Sequence, residues 1–306
     1  PIGHRMFKKF PLASRASPTI IEGILLRTKV FSMLLNLIAV ASLLIAGGVC
    51  AWDGTAAGLW KLPVFFLAAY AGLFVLALLF LIVVCAFVRM DKPQEKDSPF
   101  YRSVMFLYGR AAQTILLTRI HKTGFENLPK EGRYLLLCNH LHLMDPFVLH
   151  LAATKKAQLA FVSKKENDRL FVINKLMHKT LCQPIDRENN RAALGTINTC
   201  IDILKEDKAS IALFPEGYTS MDGHLHPFRS GCLKIAQRAN VPIVVCTVQN
   251  TQNIVKNALH LRHTDVQVDL LEVIPVEEVT AVNTIVLGKR IHRTMAEHLG
   301  EPVDPE

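Results

Sequence analysis

The stretch Tyr134–Pro146 (YLLLCNHLHLMDP) joins a short apolar run to a polar loop that ends in Asp-Pro. An apolar run without alternation is typical of a strand that is buried on both faces of a largely parallel sheet. Such runs recur downstream and alternate with helical patterns, which predicts an α/β domain with a largely parallel central sheet flanked by helices. The predicted strands are 134–138, 158–162, 181–185, 210–214, 242–249 and 266–274, and the predicted helices are 146–154, 168–178, 189–206, 229–239 and 284–298.

Two long apolar runs precede this domain. Residues 30–52 and residues 62–88 contain no charged side chain, and each run exceeds the roughly 20 residues that cross about 30 Å of hydrocarbon. We interpret them as a transmembrane helical hairpin, because the connection 53–61 is short enough to force the two helices antiparallel. The alternatives are a buried core helix for either run or a cleaved signal peptide for the first. A signal peptide has a shorter apolar region, of about 7–15 residues, that lies nearer the start.

The formal net charge of +9 lies beside the apolar runs. Residues 1–30 hold six Lys and Arg against one acid and residues 89–130 hold eight against four, whereas residues 131–306 hold twenty of each. This distribution is typical of a chain attracted to an anionic lipid surface, while a nucleic-acid-binding domain would itself be basic. Because the connection between the runs offers only Lys61, the positive-inside rule predicts that both ends and the downstream domain are cytosolic.

The chain therefore divides into four predicted parts. Residues 89–99 are charged and bounded by proline, which indicates a surface linker, and residues 100–119 have the apolar spacing of an amphipathic helix that lies against the domain or the bilayer. The parts are a basic cytosolic segment (1–29), the transmembrane hairpin (30–88), the linker and amphipathic helix (89–120) and a cytosolic domain (121–306).

Seven scattered cysteines without a Cys-x-x-Cys pair favour reduced thiols over a disulfide framework or a zinc ribbon.

His140 and Asp145 directly follow the first predicted strand, and chemistry in open α/β sheets gathers at the carboxyl ends of the strands. A carboxylate on one ring nitrogen fixes the tautomer of an imidazole and raises its basicity, and an unperturbed pKa near 6.5 suits proton transfer at neutral pH. The pair predicts a general base that works without a protein nucleophile. Asp145 before Pro146 also has the pattern of a helix N-cap, and the two roles are compatible.

Three further segments carry groups that can bind a polar substrate. The segment 214–220 (FPEGYTS) places a carboxylate, a glycine and hydroxyls at a turn, where they can bind polyol hydroxyls or an anion. Arg187 follows a predicted strand and Arg229 opens a predicted helix, so either guanidinium can bind phosphate, or can equally be a solvated basic residue. A metal site is an alternative for the histidines, although no Glu or Cys cluster lies at ligand spacing nearby. The histidines in question are His140, His142, His224 and His226.

The order of these segments resembles the 1-acylglycerol-3-phosphate acyltransferase family, also called lysophosphatidic acid acyltransferases. NHLHLMD matches the family's Asn-His-x4-Asp block, PIDR its Ile-Asp-Arg block and FPEGYTS its Phe-Pro-Glu-Gly-Thr-Arg-Ser block. VPIVV matches its Val-Pro-Ile-Val-Pro block, and HPFRSG fits a basic Phe-Lys/Arg-x-Gly element that follows the third block. All five occur in family order across about residues 120–250.

This resemblance implies a membrane enzyme that moves a fatty acyl chain from acyl-CoA or acyl-carrier protein to the free hydroxyl of 1-acylglycerol-3-phosphate, forming phosphatidic acid in phospholipid biosynthesis. His140, oriented by Asp145, would take the proton of that hydroxyl, with no acyl-enzyme, metal or other cofactor. The implied partners are membrane lipids, the lysophospholipid acceptor and the acyl donor, with no nucleic acid. The residues implied to bind substrate are Asn139, Arg187, Glu216, Gly217, Thr219 and Arg229.

The sequence departs from the family pattern at two places. Tyr218 and Thr219 stand where the family has Thr and then Arg, so one expected phosphate ligand is missing, and Val245 replaces a proline. The first departure leaves open another lysolipid acceptor, or a membrane-bound lipid-binding homologue without turnover. A serine hydrolase would need a Gly-x-Ser-x-Gly elbow, which the sequence lacks.

Overall fold

The computed structural model describes residues 32–52, 60–153, 157–186, 188–220 and 222–302. The basic segment 1–29, most of the connection 53–61 and Arg187 lie outside these residues. Within the described part, seven strands form one sheet that carries helices on both faces, so the predicted α/β class is confirmed. The strands are β1 (Thr118–Thr123), β2 (Leu135–Cys138), β3 (Leu159–Lys164), β4 (Gln183–Ile185), β5 (Ser210–Leu213), β6 (Ile243–Gln249) and β7 (Thr264–Ile274).

The helices begin with the two apolar runs and continue between the strands. The helices are α1 (Met33–Trp52), α2 (Leu62–Ala86), α3 (Pro99–Ile115), α4 (Asp145–Ala152), α5 (Phe171–Lys179), α6 (Asn190–Lys205), α7 (Lys234–Ala239), α8 (Ile254–Leu259), α9 (Val276–Ala281) and α10 (Thr284–Leu299). Local chemistry sets several of these ends. Asn189 caps α6 by accepting the backbone N–H groups of Arg191 and Ala192, and Gly300 ends α10 in the left-handed conformation that glycine adopts freely.

The sheet has the strand order β1-β7-β6-β2-β5-β3-β4. Every neighbouring pair is parallel except β6 and β7, which are antiparallel, so β1 and β7 run against the other five strands. The apolar run 134–138 contains β2, which lies at the centre of the sheet. Leu135 and Leu137 face a core that contains Ile201 of α6, whereas Leu136 and Cys138 face a second core that contains Val148 of α4.

Helices α1 and α2 pack against each other and are long and apolar enough to cross a membrane. Their apolar side chains are largely uncovered by protein. Leu44 of α1 is 72% exposed and Leu67 of α2 is 65% exposed. Since exposed apolar surface on this scale marks a contact with lipid or with another protein, these helices are suited to a lipid surrounding.

Two tyrosines join α3 to the second half of α2. The hydroxyl of Tyr101 donates to the carbonyl oxygen of Val84 at 3.1 Å, and the hydroxyl of Tyr108 donates to that of Ala77 at 2.6 Å. The two tyrosines lie seven positions apart on α3, and their acceptors, Val84 and Ala77, lie seven positions apart in the reverse order on α2. Seven residues make about two helical turns, so α3 runs antiparallel beside α2. Lys175 of α5 adds a bond from Nζ to the carbonyl oxygen of Val88 at 2.9 Å. The apolar helices and the α/β domain are therefore fastened together.

The segment 89–99 differs from the expected surface linker at one residue. Asp97 accepts hydrogen bonds from Nε of Arg102 at 2.8 and 2.9 Å, and the two side chains are only 2% and 4% exposed. Nη1 of Arg102 reaches the carbonyl oxygen of Leu159 on β3 at 3.1 Å. This buried ion pair ties the start of α3 to the sheet.

The region 100–119 contains more than the predicted helix. Helix α3 ends at Ile115, and Thr118 begins β1, an edge strand that pairs with β7. The exposed side chains of Lys122 and Thr123 give β1 no apolar run to recognise. The short helices α8 and α9 also lay outside the predicted elements.

Candidate active site

The candidate site lies at the carboxyl ends of β2, β5 and β6, which are parallel neighbours in the sheet. The loop 139–144 follows β2, the segment 214–220 follows β5, and a 3-10 turn, Thr251–Asn253, follows β6. Because parallel neighbours end at the same edge of a sheet, groups from three distant segments of the chain meet there.

His140 and Asp145, the predicted base and its partner, are brought together. Nδ1 of His140 lies 2.8 Å from Oδ2 of Asp145, and the two residues are 8% and 0% exposed. Asp145 is the first residue of α4 rather than the residue before it, and its carboxylate faces back onto the loop. The carboxylate therefore orients the imidazole and does not cap the helix.

The hydrogen bonds of Asp145 define the tautomer of His140. Oδ2 also accepts the backbone N–H groups of Leu141 at 2.7 Å and His142 at 2.8 Å, and the hydroxyl of Thr251 donates to Oδ1. An ionised carboxylate can only accept, so Nδ1 of His140 must carry the hydrogen that it shares with Oδ2. In a neutral imidazole this leaves Nε2 as the acceptor.

Nε2 of His140 faces a hydroxyl. Oγ1 of Thr219 lies 3.0 Å away, a distance at which a general base can remove a proton. The ring of Phe214 stacks on the imidazole, with centroids 4.1 Å apart and planes 16° apart, and fixes the ring plane. The backbone N–H of Ser220 donates to the carbonyl oxygen of His140 at 2.7 Å. These contacts hold the imidazole and the segment 214–220 against each other.

Glu216 joins the loop that follows β2 to the loop that precedes α7. Its carboxylate is buried, with 1% of the residue exposed, and accepts the backbone N–H groups of His140 at 2.7 Å and His226 at 3.0 Å. Burial raises the pKa of Glu216 to about 7, a shift that the two N–H donors only partly oppose. Both oxygens are thus engaged with backbone N–H groups, so Glu216 positions His140, and its predicted contact with substrate stays a prediction.

We expect Glu216→Gln to remove a pH dependence of folding stability. The pKa of the folded carboxyl, about 7, exceeds its ordinary value of 4.5, so between these pH values the folded protein holds a proton that the unfolded chain has lost. The stability that this proton contributes is complete below pH 4.5 and is lost as the pH rises through 7. Thermal unfolding of both proteins in detergent micelles from pH 5 to pH 8 should show a smaller decline for the variant, and equal declines would contradict the assignment.

Gly217 and Arg229 form the second part of the site. Gly217 has φ +83°, and a Cβ on it would lie 2.7 Å from Nε and 2.9 Å from Cδ of Arg229. The backbone N–H of Arg229 also donates to the carbonyl oxygen of Pro215 at 2.8 Å. Glycine is therefore required both by the turn and by the guanidinium that lies over it. This places an exposed cation beside the segment 214–220.

Asn139 lies next to His140, but its side chain faces the sheet. Nδ2 donates to the carbonyl oxygen of Val248 at 3.0 Å and Oδ1 accepts the N–H of Val248 at 2.8 Å. With 1% of the residue exposed, this amide extends the pairing of β2 with β6. The side chain is thus engaged with the backbone of Val248, and its predicted contact with substrate stays a prediction.

The remaining predicted groups are distributed around the site. Arg187 lies outside the described residues. Nε2 of His226 lies 3.0 Å from Oδ1 of Asp222, and the ring of Tyr218 packs against His226 with centroids 5.1 Å apart. His224 is 3.7 Å from a carboxylate oxygen of Glu301.

Thr251 contacts Asp145 and Phe214 contacts His140, and neither was predicted as a site residue. Phe214 lies within the segment quoted for the site, and its position just past a buried strand was a usable signal. Thr251 is a polar residue two positions past the end of β6, at the same edge of the sheet, but strand order was needed to bring it to Asp145.

A pocket of about 240 Å³ opens beside the loop that carries His140. Its walls include Leu141, the carboxamide residues Gln249, Asn250 and Gln252, and Glu301 near the end of the described chain. The pocket is thus polar and suited to a neutral or cationic part of a ligand.

Comparison with known proteins identifies the relatives of this domain. Residues 119–249 match a family described as Acyltransferase, and this range contains all the predicted site residues. A probable 1-acyl-sn-glycerol-3-phosphate acyltransferase of Mycoplasma pneumoniae is 30% identical over 183 residues, which cover 58% of this chain and 65% of that protein. The 1-acyl-sn-glycerol-3-phosphate acyltransferase of Cocos nucifera is 30% identical over 176 residues, which cover 56% of each chain.

More distant relatives extend the same pattern. The enzyme of that name from Saccharomyces cerevisiae is 29% identical over 140 residues, or 43% of each chain. The chain therefore spans 43–65% of the length of these three curated relatives. The crystal structure of the 1-acyl-sn-glycerophosphate acyltransferase PlsC from Thermotoga maritima has a TM-score of 0.55 at 21% identity, covering 74% of this chain and 89% of that one. That likeness shows the fold.

Proposed function

We propose, from the premise that the chain belongs to the 1-acylglycerol-3-phosphate acyltransferase family, that it acylates the free hydroxyl of 1-acylglycerol-3-phosphate and forms phosphatidic acid. The acyl donor is acyl-CoA or acyl-carrier protein. The observation that carries this proposal is the acceptor nitrogen Nε2 of His140, held by Asp145 with a hydroxyl oxygen already 3.0 Å away.

In the proposed reaction His140 is the general base. Nε2 takes the proton of the acceptor hydroxyl as that oxygen attacks the thioester carbon, and the thiol leaves with the proton that His140 returns. Asp145 stabilises the imidazolium that forms between these two transfers. The chain's own groups supply every proton transfer in this scheme, so it calls for no metal or other cofactor.

The positive charge of Arg229 supports the proposed position of the acceptor's phosphate group. Arg229 lies over Gly217 and presents a guanidinium that can bind the phosphate with two parallel hydrogen bonds. Arg187, from the Ile-Asp-Arg block, is a second proposed phosphate ligand. The pocket lined by carboxamide side chains and Glu301 would disfavour a phosphate, because Glu301 is acidic. It suits an uncharged part of the acyl donor.

The apolar helices and the charge distribution support a membrane location. Helices α1 and α2 have the length and hydropathy of membrane spans, and the basic excess flanks them on both sides. The proposed arrangement is an integral membrane protein with the α/β domain on the cytoplasmic face. Membrane lipids and the lysophospholipid acceptor are then its proposed partners, together with the acyl donor.

A panel of lysolipids tests the proposed acceptor. The full chain in detergent micelles is supplied with palmitoyl-CoA or palmitoyl-carrier protein and with lysophosphatidic acid, lysophosphatidylglycerol or lysophosphatidylethanolamine. Thiol release and the lipid product are measured together, and we expect the fastest release with lysophosphatidic acid, accompanied by phosphatidic acid. Turnover only with the two phosphodiesters would contradict the acceptor and leave the chemistry standing.

A lipid-binding homologue without turnover is the second candidate. The observation in its favour is Tyr218 and Thr219 in place of the family's Thr and Arg. Thiol release with none of the acceptors and neither donor, from protein that still binds lysolipid, would support it over the enzyme.

A further inference from the structure

The catalytic pair and Thr219 form a chain of three groups. Oδ2 of Asp145 lies 2.8 Å from Nδ1 of His140, and Nε2 of the same ring lies 3.0 Å from Oγ1 of Thr219. A carboxylate, an imidazole and a hydroxyl in this sequence of contacts are the arrangement that activates a hydroxyl as a nucleophile, and it is recognised by geometry and not by position in the chain. Here it arises because a hydroxyl residue stands where the family has arginine.

The backbone fixes the place of the Thr219 hydroxyl. The N–H of the next residue, Ser220, donates to the carbonyl oxygen of His140 at 2.7 Å. Gly217, two residues before Thr219, makes the turn at φ +83°. The N–H of Gly217 donates to the carbonyl oxygen of Phe214 at 3.1 Å. Phe214 in turn stacks on the imidazole. The segment and the ring are thus positioned by each other, so the contact between Thr219 and Nε2 is built into the fold.

Thr219 is also accessible, because it is only partly buried while His140 and Asp145 behind it are buried. A thioester that reaches the acceptor position must bring its carbonyl carbon to an oxygen that lies about 3 Å from Nε2. With no lysolipid in the site, the oxygen at that position is Oγ1 of Thr219.

We propose that, in the absence of a lysolipid, the protein transfers the acyl group of a thioester to its own Thr219. Nε2 of His140 takes the hydroxyl proton as Oγ1 attacks the carbonyl carbon, an ester bond forms at Oγ1, the carbon–sulfur bond breaks, and the sulfur leaves as a thiol with the proton from Nε2. The reverse reaction with a second thiol regenerates a thioester and the free hydroxyl. This inference rests on the proposed function only for the class of donor.

A distinct activity follows from the reversibility of this step. Palmitoyl-CoA and labelled CoA should exchange label without any acceptor, because each passage through the Thr219 ester releases one CoA and recruits another. Direct transfer from donor to lysolipid predicts no such exchange, since no acylated protein forms.

The test uses the full chain in detergent micelles with palmitoyl-CoA and radiolabelled CoA, first without and then with lysophosphatidic acid. We expect label exchange, and an intact mass increased by one palmitoyl group on a peptide that contains Thr219. The adduct should survive neutral hydroxylamine, which cleaves thioesters and so removes acyl groups from the seven cysteines. Thr219→Val should abolish both exchange and adduct, and Thr219→Ser should retain them.

Thr199→Val is the matched control, since the exposed Thr199 hydroxyl donates to the carbonyl oxygen of Gly195 within α6 at 3.1 Å and not to the imidazole. This variant should exchange label as the wild type does. Wild-type protein that acylates lysolipid but shows neither exchange nor adduct would overturn the inference alone, as would undiminished exchange by Thr219→Val. Wild-type protein that shows no transfer to lysolipid while exchange persists would instead contradict the proposed function.

Discussion

Replacing His140 by alanine is expected to lower the rate of acyl transfer by about 10²- to 10⁴-fold, the usual cost of losing a general base. The imidazole is the group whose free nitrogen faces a hydroxyl, and the structure holds it there through Asp145, Glu216 and Phe214. Thiol release from palmitoyl-CoA with a saturating lysolipid measures the effect. A rate within a fewfold of the wild type would remove His140 from the reaction.

The same loop offers a control. His142→Ala removes a second imidazole whose Nδ1 accepts the backbone N–H of Met144 at 3.3 Å, while its own N–H bond to Asp145 is kept. Alanine keeps the backbone N–H that donates to Asp145, so this variant should retain most of the wild-type rate. Equal losses in His140→Ala and His142→Ala would indicate damage to the loop and not the loss of a base.

The largest effect on stability is expected from Asp97→Ala. The change would leave the guanidinium of Arg102, 4% exposed, without its carboxylate partner, and breaking such a buried pair costs about 3–5 kcal/mol. Thermal unfolding of the full chain in detergent micelles should show a marked drop in the midpoint, because Arg102 ties α3 to Leu159 of β3 and to Thr180, the residue that follows α5.

An exposed ion pair in the same segment provides the comparison. Arg89 and Asp91 are 3.3 Å apart with side chains 67% and 64% exposed, where water screens the attraction. Asp91→Ala should leave the unfolding midpoint nearly unchanged. Similar shifts for Asp91→Ala and Asp97→Ala would show that burial of the second pair does not decide its contribution.

The sequence predicted the parts of the fold whose cause is local. An apolar run followed by a polar loop identified β2 and the position of His140, and the uncharged runs identified α1 and α2, because burial and hydropathy leave a direct trace in composition. Strand order leaves no such trace. The antiparallel contact of β6 with β7 arises because the connection between them starts and ends at the same edge of the sheet.

The site shows the same division. The proximity of His140 and Asp145 follows from a five-residue spacing on a strand-to-helix loop, and it was predicted. The roles of Asn139 and Glu216 depend on which backbone N–H groups lie opposite them, and those groups belong to β6 and to the loop before α7. Thr251 is a further case, since only the neighbouring position of β2 and β6 brings its hydroxyl to Asp145.

The bonds from Tyr101 and Tyr108 to the carbonyl oxygens of α2 have a consequence for how a substrate arrives. They join the α/β domain to α2 and oppose movement of the domain away from this helix or rotation about it. With α2 seated in a bilayer, the reactive imidazole then stays at one height above the leaflet. A lipid acceptor would be encountered by lateral diffusion in two dimensions, and its supply would be set by its mole fraction in the leaflet and not by its concentration in the surrounding water.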